Sequence, residues 1–208
     1  MATRKTSELP GSSLVGILDK GFGLSGPTLE RIGAFVVMWA TFENDLERAL
    51  WRLTGEAPEG AIPSTDAKPV SFLIRRFRET GLELDEEEWR CVVNLLCDTA
   101  GYLAEYRNVI AHGQLLPARV GGGLVLNATW HGEKRKRPPI TAHIDERLVG
   151  IMLDALHELL IVLRAVVSGE NAPNLDSRVL GRKPMLQRAR SGAAEIRYLT
   201  EAVNSEKY

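Results

Sequence analysis

Residues 85–113, DEEEWRCVVNLLCDTAGYLAEYRNVIAHG, decide the fold class. Trp89, Val92 or Val93, Leu96, Ala100, Leu103 and Ile110 recur at the three- and four-residue spacing of one helix face. Asp85 stands where an N-cap belongs, and Glu86 to Glu88 place negative charge against the positive end of the helix dipole. The pattern runs to about Ala111, and Gly113 is placed to end it. A helix this long, apolar on one face, needs other helices to cover it, so a helical bundle is expected.

On the N-terminal side, Pro27 and Thr28 open a strong helix that runs to Leu53 before Gly55 and Pro58. Its stripe reads Ile32, Val36, Trp39, Ala40, Leu46, Leu50 and Leu53. A linker from Gly55 to Pro69 leads to a short basic helix, Val70 to Thr80, with Phe72, Leu73 and Phe77 inward. Residues 1–26 hold five glycines around one apolar piece, Leu14 to Leu18, and read as a loosely ordered leader with one helical turn.

On the C-terminal side, Leu115–Val120, Leu124–Trp130 and Ile140–Ile144 are short β-like runs separated by Gly121 to Gly123 and by His131 to Pro139. They predict a small antiparallel β-meander inserted at about 114–144. Asp145 caps a last core helix to Val167, apolar nearly all round in its second half and therefore central. Beyond Ser168-Gly169 the chain is basic and polar, with Arg178, Arg182, Lys183, Arg188 and Arg190, then a helix from Ser191 to Asn204. The expected organisation is mainly α: a leader (1–26), a helical bundle with the β insertion (27–168) and a basic, helical C-terminal tail (169–208).

The 208 residues, 44% hydrophobic and 25% charged, suit one domain able to bury roughly 70% of its unfolded surface. With 26 Lys+Arg against 27 Asp+Glu, the chain has no general basic field, so any nucleic-acid contact is local. Cys91 and Cys97 sit six apart on one helix, pointing in different directions, and cannot form a disulfide with each other. Two cysteines without zinc-type spacing fit a reducing compartment. No secretory signal follows Arg4-Lys5, and the longest apolar run, Ile32 to Phe42, is too short to cross a bilayer. A cytoplasmic protein without a membrane span is expected.

Two charges interrupt the stripes. Glu43 occupies a core-facing slot of the Pro27 helix, and Arg107 occupies one in the long helix. A buried unpaired charge is costly, so the two either pair or line a wet cleft between the helices. A structural ion pair joining two core helices is the simpler reading. The sequence after Arg107 adds a chemical one, because Arg107, Asn108 and His112 gather at the C-terminal end of the long helix. There the dipole favours imidazolium, while Arg107 and Glu105 act on it in opposite directions. Asn108 and His112, four apart, share a face; Arg107 and His112, five apart, diverge by about 140°. A second subunit presenting the same helix end across a two-fold axis would supply the convergence that one helix lacks.

Arg107-Asn108-Val109-Ile110-Ala111-His112 resembles the Arg, polar residue and His motif of the HEPN (higher eukaryotes and prokaryotes nucleotide-binding) family. These are small helical bundles that include metal-independent ribonucleases of toxin–antitoxin and antiviral defence systems. Glu43 in an earlier helix supports the resemblance, which covers roughly residues 27 to 167. It implies that His112 is the general acid/base for attack of an RNA 2′-hydroxyl on the adjacent phosphodiester. Arg107 would stabilise the phosphorane-like charge, and Asn108 would orient His112 or the phosphate. It also implies a homodimer, RNA as substrate and an antitoxin or defence partner. The HEPN toxins paired with nucleotidyltransferase antitoxins carry a Tyr two residues after the His; here Gln114 stands there, so control by modification of that tyrosine is excluded.

Lys134, Arg135, Lys136 and Arg137, followed by two prolines, either grip RNA phosphates or form a solvated hairpin tip. His131, His143 and His157 lack zinc-type partners, and Gly121 to Gly123 precede no Lys-Ser/Thr, so neither a metal nor a cofactor is expected. Trp39, Trp51 and Trp89 read as core or interface, and Trp130 as packing or a base-stacking platform. The leading expectation is a metal-independent endoribonuclease. Its rivals are a non-catalytic HEPN-like module that binds RNA, nucleotide or protein, and a helical scaffold or antitoxin-like partner.

Overall fold

Ser25 and Pro27 start the first long helix in the computed structural model, which describes residues 11–57, 59, 62–83, 86–117, 122–127, 140–168 and 177–205. This helix, α2 (Gly26–Thr54), is capped when Ser25 Oγ accepts from the Thr28 N–H, and it ends at Gly55 in the left-handed region, φ 68°. The glycine carries that conformation without a Cβ penalty. It is followed by α3 (Val70–Leu82), α4 (Glu87–His112) and α5 (Glu146–Ser168), the last capped by Asp145 Oδ1 accepting from the Leu148 N–H at 2.7 Å. The Asp85 cap expected for α4 lies outside the described residues; Glu86 stands at its N-cap and makes no side-chain capping bond.

Between α4 and α5 lies the expected meander. Strands β1 (Gln114–Leu116), β2 (Gly123–Asn127) and β3 (Ile140–Ile144) form one antiparallel sheet in that order. Leu115 faces Val125 and Val125 faces Ala142 in register, and Val125, Ala142 and Ile144 turn into the core. Gly113 follows α4 with φ −84° and ψ 161° rather than in the left-handed region, so the chain runs straight from helix into β1. The 128–139 connection, with His131, Trp130 and the Lys134–Arg137 run, lies outside the described residues.

Three expectations are corrected. First, the leader contains a twelve-residue helix, α1 (Gly11–Phe22), closed by Gly23 at φ 71° with Gly23 N–H to Asp19 O and Leu24 N–H to Leu18 O. Its glycines concealed an amphipathic pattern in Leu14, Ile17 and Leu18. Second, the buried face of α2 is centred on Phe35, Trp39, Phe42, Leu46, Ala49 and Leu50, leaving Val36 and Ala40 outward. On α3 the inward residues are likewise Leu73, Ile74 and Phe77, with Phe72 half-buried.

Third, the C-terminal segment is helical as expected, but its helix begins at Lys183 rather than Ser191 and it is packed into the bundle rather than a polar tail. After the short α6 (Ser177–Leu180), α7 (Lys183–Ser205) packs along α4, α5 and β3, burying Leu186, Ala189, Ala193 and Ile196. Those positions fall three, four and three apart, the spacing of one helix stripe. Arginines before and along α7 meet acids of the bundle: Arg182, just ahead of α7, with Glu158, and on α7 Arg190 with Asp98 and Arg197 with Glu105. Asp98 also takes Arg78 of α3 at 2.6 Å, so one carboxylate ties α3, α4 and α7 together.

The core is helical and aromatic at its centre. α5 lies most extensively against α2 and against α7, as its apolar second half requires. Trp39 sits 5.0 Å from Phe42, ring centre to ring centre, and Trp89 meets Phe77 edge-on at 6.4 Å. α3 and α4 touch where Gly81 faces Val93; a Cβ at Gly81 would stand 2.7 Å from a Val93 methyl. Trp51, half-buried, donates to Thr65 Oγ1.

Candidate functional site at the end of helix α4

The last turns of α4 are fixed from the side opposite the candidate site. Tyr106 and Val109 are buried, and the Tyr106 hydroxyl donates to the backbone carbonyl of His143 on β3. Burial pushes the Tyr106 phenol well above its ordinary range, with Asp145 adding to the shift, so it stays a neutral donor. Tyr106 thereby fixes the helix end on the sheet. The Leu103, Tyr106 and Ile110 spacing could have revealed it, but Arg107 fits the same wheel position one step round.

With Tyr106 and Val109 inward, Arg107 is half-buried and Asn108 and His112 are exposed. Arg107 Nη1 donates to Asn108 Oδ1 at 3.2 Å. The two neighbours therefore act as a unit: the amide oxygen holds one edge of the guanidinium and leaves its other N–H groups for a ligand. His112 is the last helical residue. Because α4 stays helical through it, the divergence of about 140° between Arg107 and His112 persists within one chain. Glu105, exposed, faces α7 and is paired with Arg197 at 3.6 Å.

Glu43 makes its hydrogen bond within its own helix. Its Oε1 accepts from Trp39 Nε1 at 2.5 Å, satisfying an indole N–H whose ring is in the core. α2 packs on α3 and α5, and no hydrogen bond or ion pair links Glu43 to Arg107 among the described residues. The expected pairing is thus replaced by two others. On α2 the buried acid is Asp45, which accepts from Arg164 Nε of α5 at 3.0 Å. On α4 it is Asp98, with its two arginines. Ion pairs do join core helices here, but through Asp45 and Asp98, residues that the sequence reading did not single out.

The Lys134–Arg137 run lies outside the described residues. His143 sits 3.4 Å from Asp145, and His157 is exposed. Among the described residues no three His, Cys, Asp or Glu side chains are grouped to hold a metal ion, and no helix is long and apolar enough to cross a membrane. Both cysteines are free thiols. No family model, curated protein or solved structure matches this chain.

Proposed function

We propose that this chain is a HEPN-like, metal-independent endoribonuclease, acting as a homodimer in the cytoplasm, with a role in defence or growth control and an antitoxin or defence protein as partner. The observation that carries the reading is the exposed end of α4, where an Asn-held guanidinium and an imidazole stand within the last two turns of a helix anchored by Tyr106. Each residue then has one task. His112 takes the proton from the RNA 2′-hydroxyl or gives one to the leaving 5′-oxygen, and Arg107 meets the charge growing on the phosphate. Asn108 is a positioning residue through its bond to Arg107. The nucleophile belongs to the substrate, so DNA is not cut.

One observation favours the non-catalytic alternative, an RNA- or protein-binding module: Glu43 supports Trp39 rather than Arg107. Incubating the purified chain with structured and unstructured RNA in EDTA separates the two. Cleavage that persists under chelation, leaves 2′,3′-cyclic phosphate ends and disappears in His112→Ala is the expected result. Binding without cleavage, loss of activity on chelation, or 5′-phosphate products would overturn the catalytic reading.

A further inference from the structure

A cavity of about 550 Å³ opens between the second half of α5 and the α6–α7 connection, lined by Ile161, Val162, Arg164, Ala165, Ser168, Gly181 and Arg182. Its size is that of small-molecule sites, which run from roughly 300 to 1,000 Å³. The floor is aliphatic: Ile161, Val162 and Ala165. Among the described residues, the charged linings are two arginines, one from each wall.

Each arginine is aimed from behind by a buried acid. Arg164 gives only its Nε to Asp45 Oδ2, at 3.0 Å, and Arg182 gives Nη1 to Glu158 Oε2 at 3.4 Å. The acids are nearly enclosed, 12% and 13% exposed, whereas the arginine side chains are 63% and 40% exposed. Each carboxylate holds its guanidinium through one nitrogen and leaves the other donors of a partly exposed side chain beside the cavity. The first turn of α7, which begins beside Arg182, carries no acidic side chain to compete for them.

We propose that this cavity binds a small organic phosphate, the two arginine forks taking the phosphate oxygens and the α5 floor taking an apolar body. Two forks offer more donors than a carboxylate's two oxygens can use, which selects phosphate. The site is separate from the α4 end and stands or falls independently of the proposed nuclease activity.

Calorimetric titration of the full chain with phenyl phosphate, inorganic phosphate, benzoate and phenol tests it. Phenyl phosphate is expected to saturate one site per chain in the submillimolar range. The other three probes should bind at least about tenfold more weakly, each lacking the head group or the apolar body. The paired variants Arg164→Gln with Asp45→Asn and Arg182→Gln with Glu158→Gln remove a fork while leaving neutral hydrogen-bonding partners behind. Each should weaken phenyl phosphate by about tenfold or more. Ala165→Leu, which keeps both forks and fills the floor, should do the same and serves if a paired variant does not fold. The proposal is overturned if phenyl phosphate fails to saturate at millimolar concentration, if benzoate or inorganic phosphate binds equally well, or if the folded variants bind as the parent does.

Discussion

At the scale of single residues, the choice between Glu43 and Asp45 shows what a helix pattern conceals. Both lie on α2, two residues and therefore about 200° apart. From Ile32 to Phe42 the helix is so apolar that one stripe through Val36 and Ala40 and another through Phe35 and Phe42 fit equally well. Only the partners decide, and Arg164, the partner of Asp45, is 119 positions away. The pair is lopsided, since Asp45 is enclosed and Arg164 can turn to water. Arg164→Ala, which strands the buried acid, is expected to cost about 3 kcal/mol, while Asp45→Asn costs about 1 kcal/mol; denaturant melts of both and of the double variant check this asymmetry. Cys97 gives a second test. Burial pushes its thiol from 9.0 up to about 12, against the pull of Arg78. At pH 8 a thiol reagent should therefore label Cys91, which is half-buried, well before Cys97, and denaturation should make the two equal. Since folding raises this pKa, the neutral thiol's contribution to stability is complete below about pH 9 and is lost as the pH climbs toward 12.

At the scale of elements, the two ends of the chain are hard to read from sequence for opposite reasons. α1 hides behind glycines, yet once formed it contributes little to the interior: Leu14, Val15 and Ile17 remain 60%, 45% and 57% exposed, and its Leu18 is only partly buried. The first half of α7, and its packing against the bundle, hide behind charge. Its arginines look unpaired because Asp98, Glu105 and Glu158 are remote in sequence, and its stripe uses two alanines that carry little hydropathy. Removing residues 1–22 is therefore expected to change the unfolding free energy by less than about 1 kcal/mol, whereas Leu186→Ala alone costs about 3 kcal/mol. Chemical denaturation that ranks these two the other way would contradict the packing described. By contrast, α2, α3, α4, α5 and the meander are legible as elements, because period and punctuation agree there: Pro27 in the first turn of α2, Gly55 after it, Asp145 before α5.

At the scale of the whole molecule, the separation of Arg107 from His112 becomes a statement about assembly. If each active site takes Arg107 from one subunit and His112 from the other, Arg107→Ala and His112→Ala homodimers are both inactive, and mixing them restores about a quarter of the activity. Half of the random dimers are then mixed, and each mixed dimer keeps one of its two sites. No recovery in a folded, re-annealed mixture would exclude the shared site. The motif itself was readable from sequence, but the angle became binding only once α4 was seen to remain helical to His112. The position of α7 carries a different consequence, one of timing. A ribosome delivers α2 through α5 first, and the surface of α4, α5 and β3 that awaits Leu186 and Ile196 is then apolar and open. The protein cannot close its interior as it emerges. This bundle closes only when α7 arrives, and until then the half-made bundle is the form most exposed to aggregation.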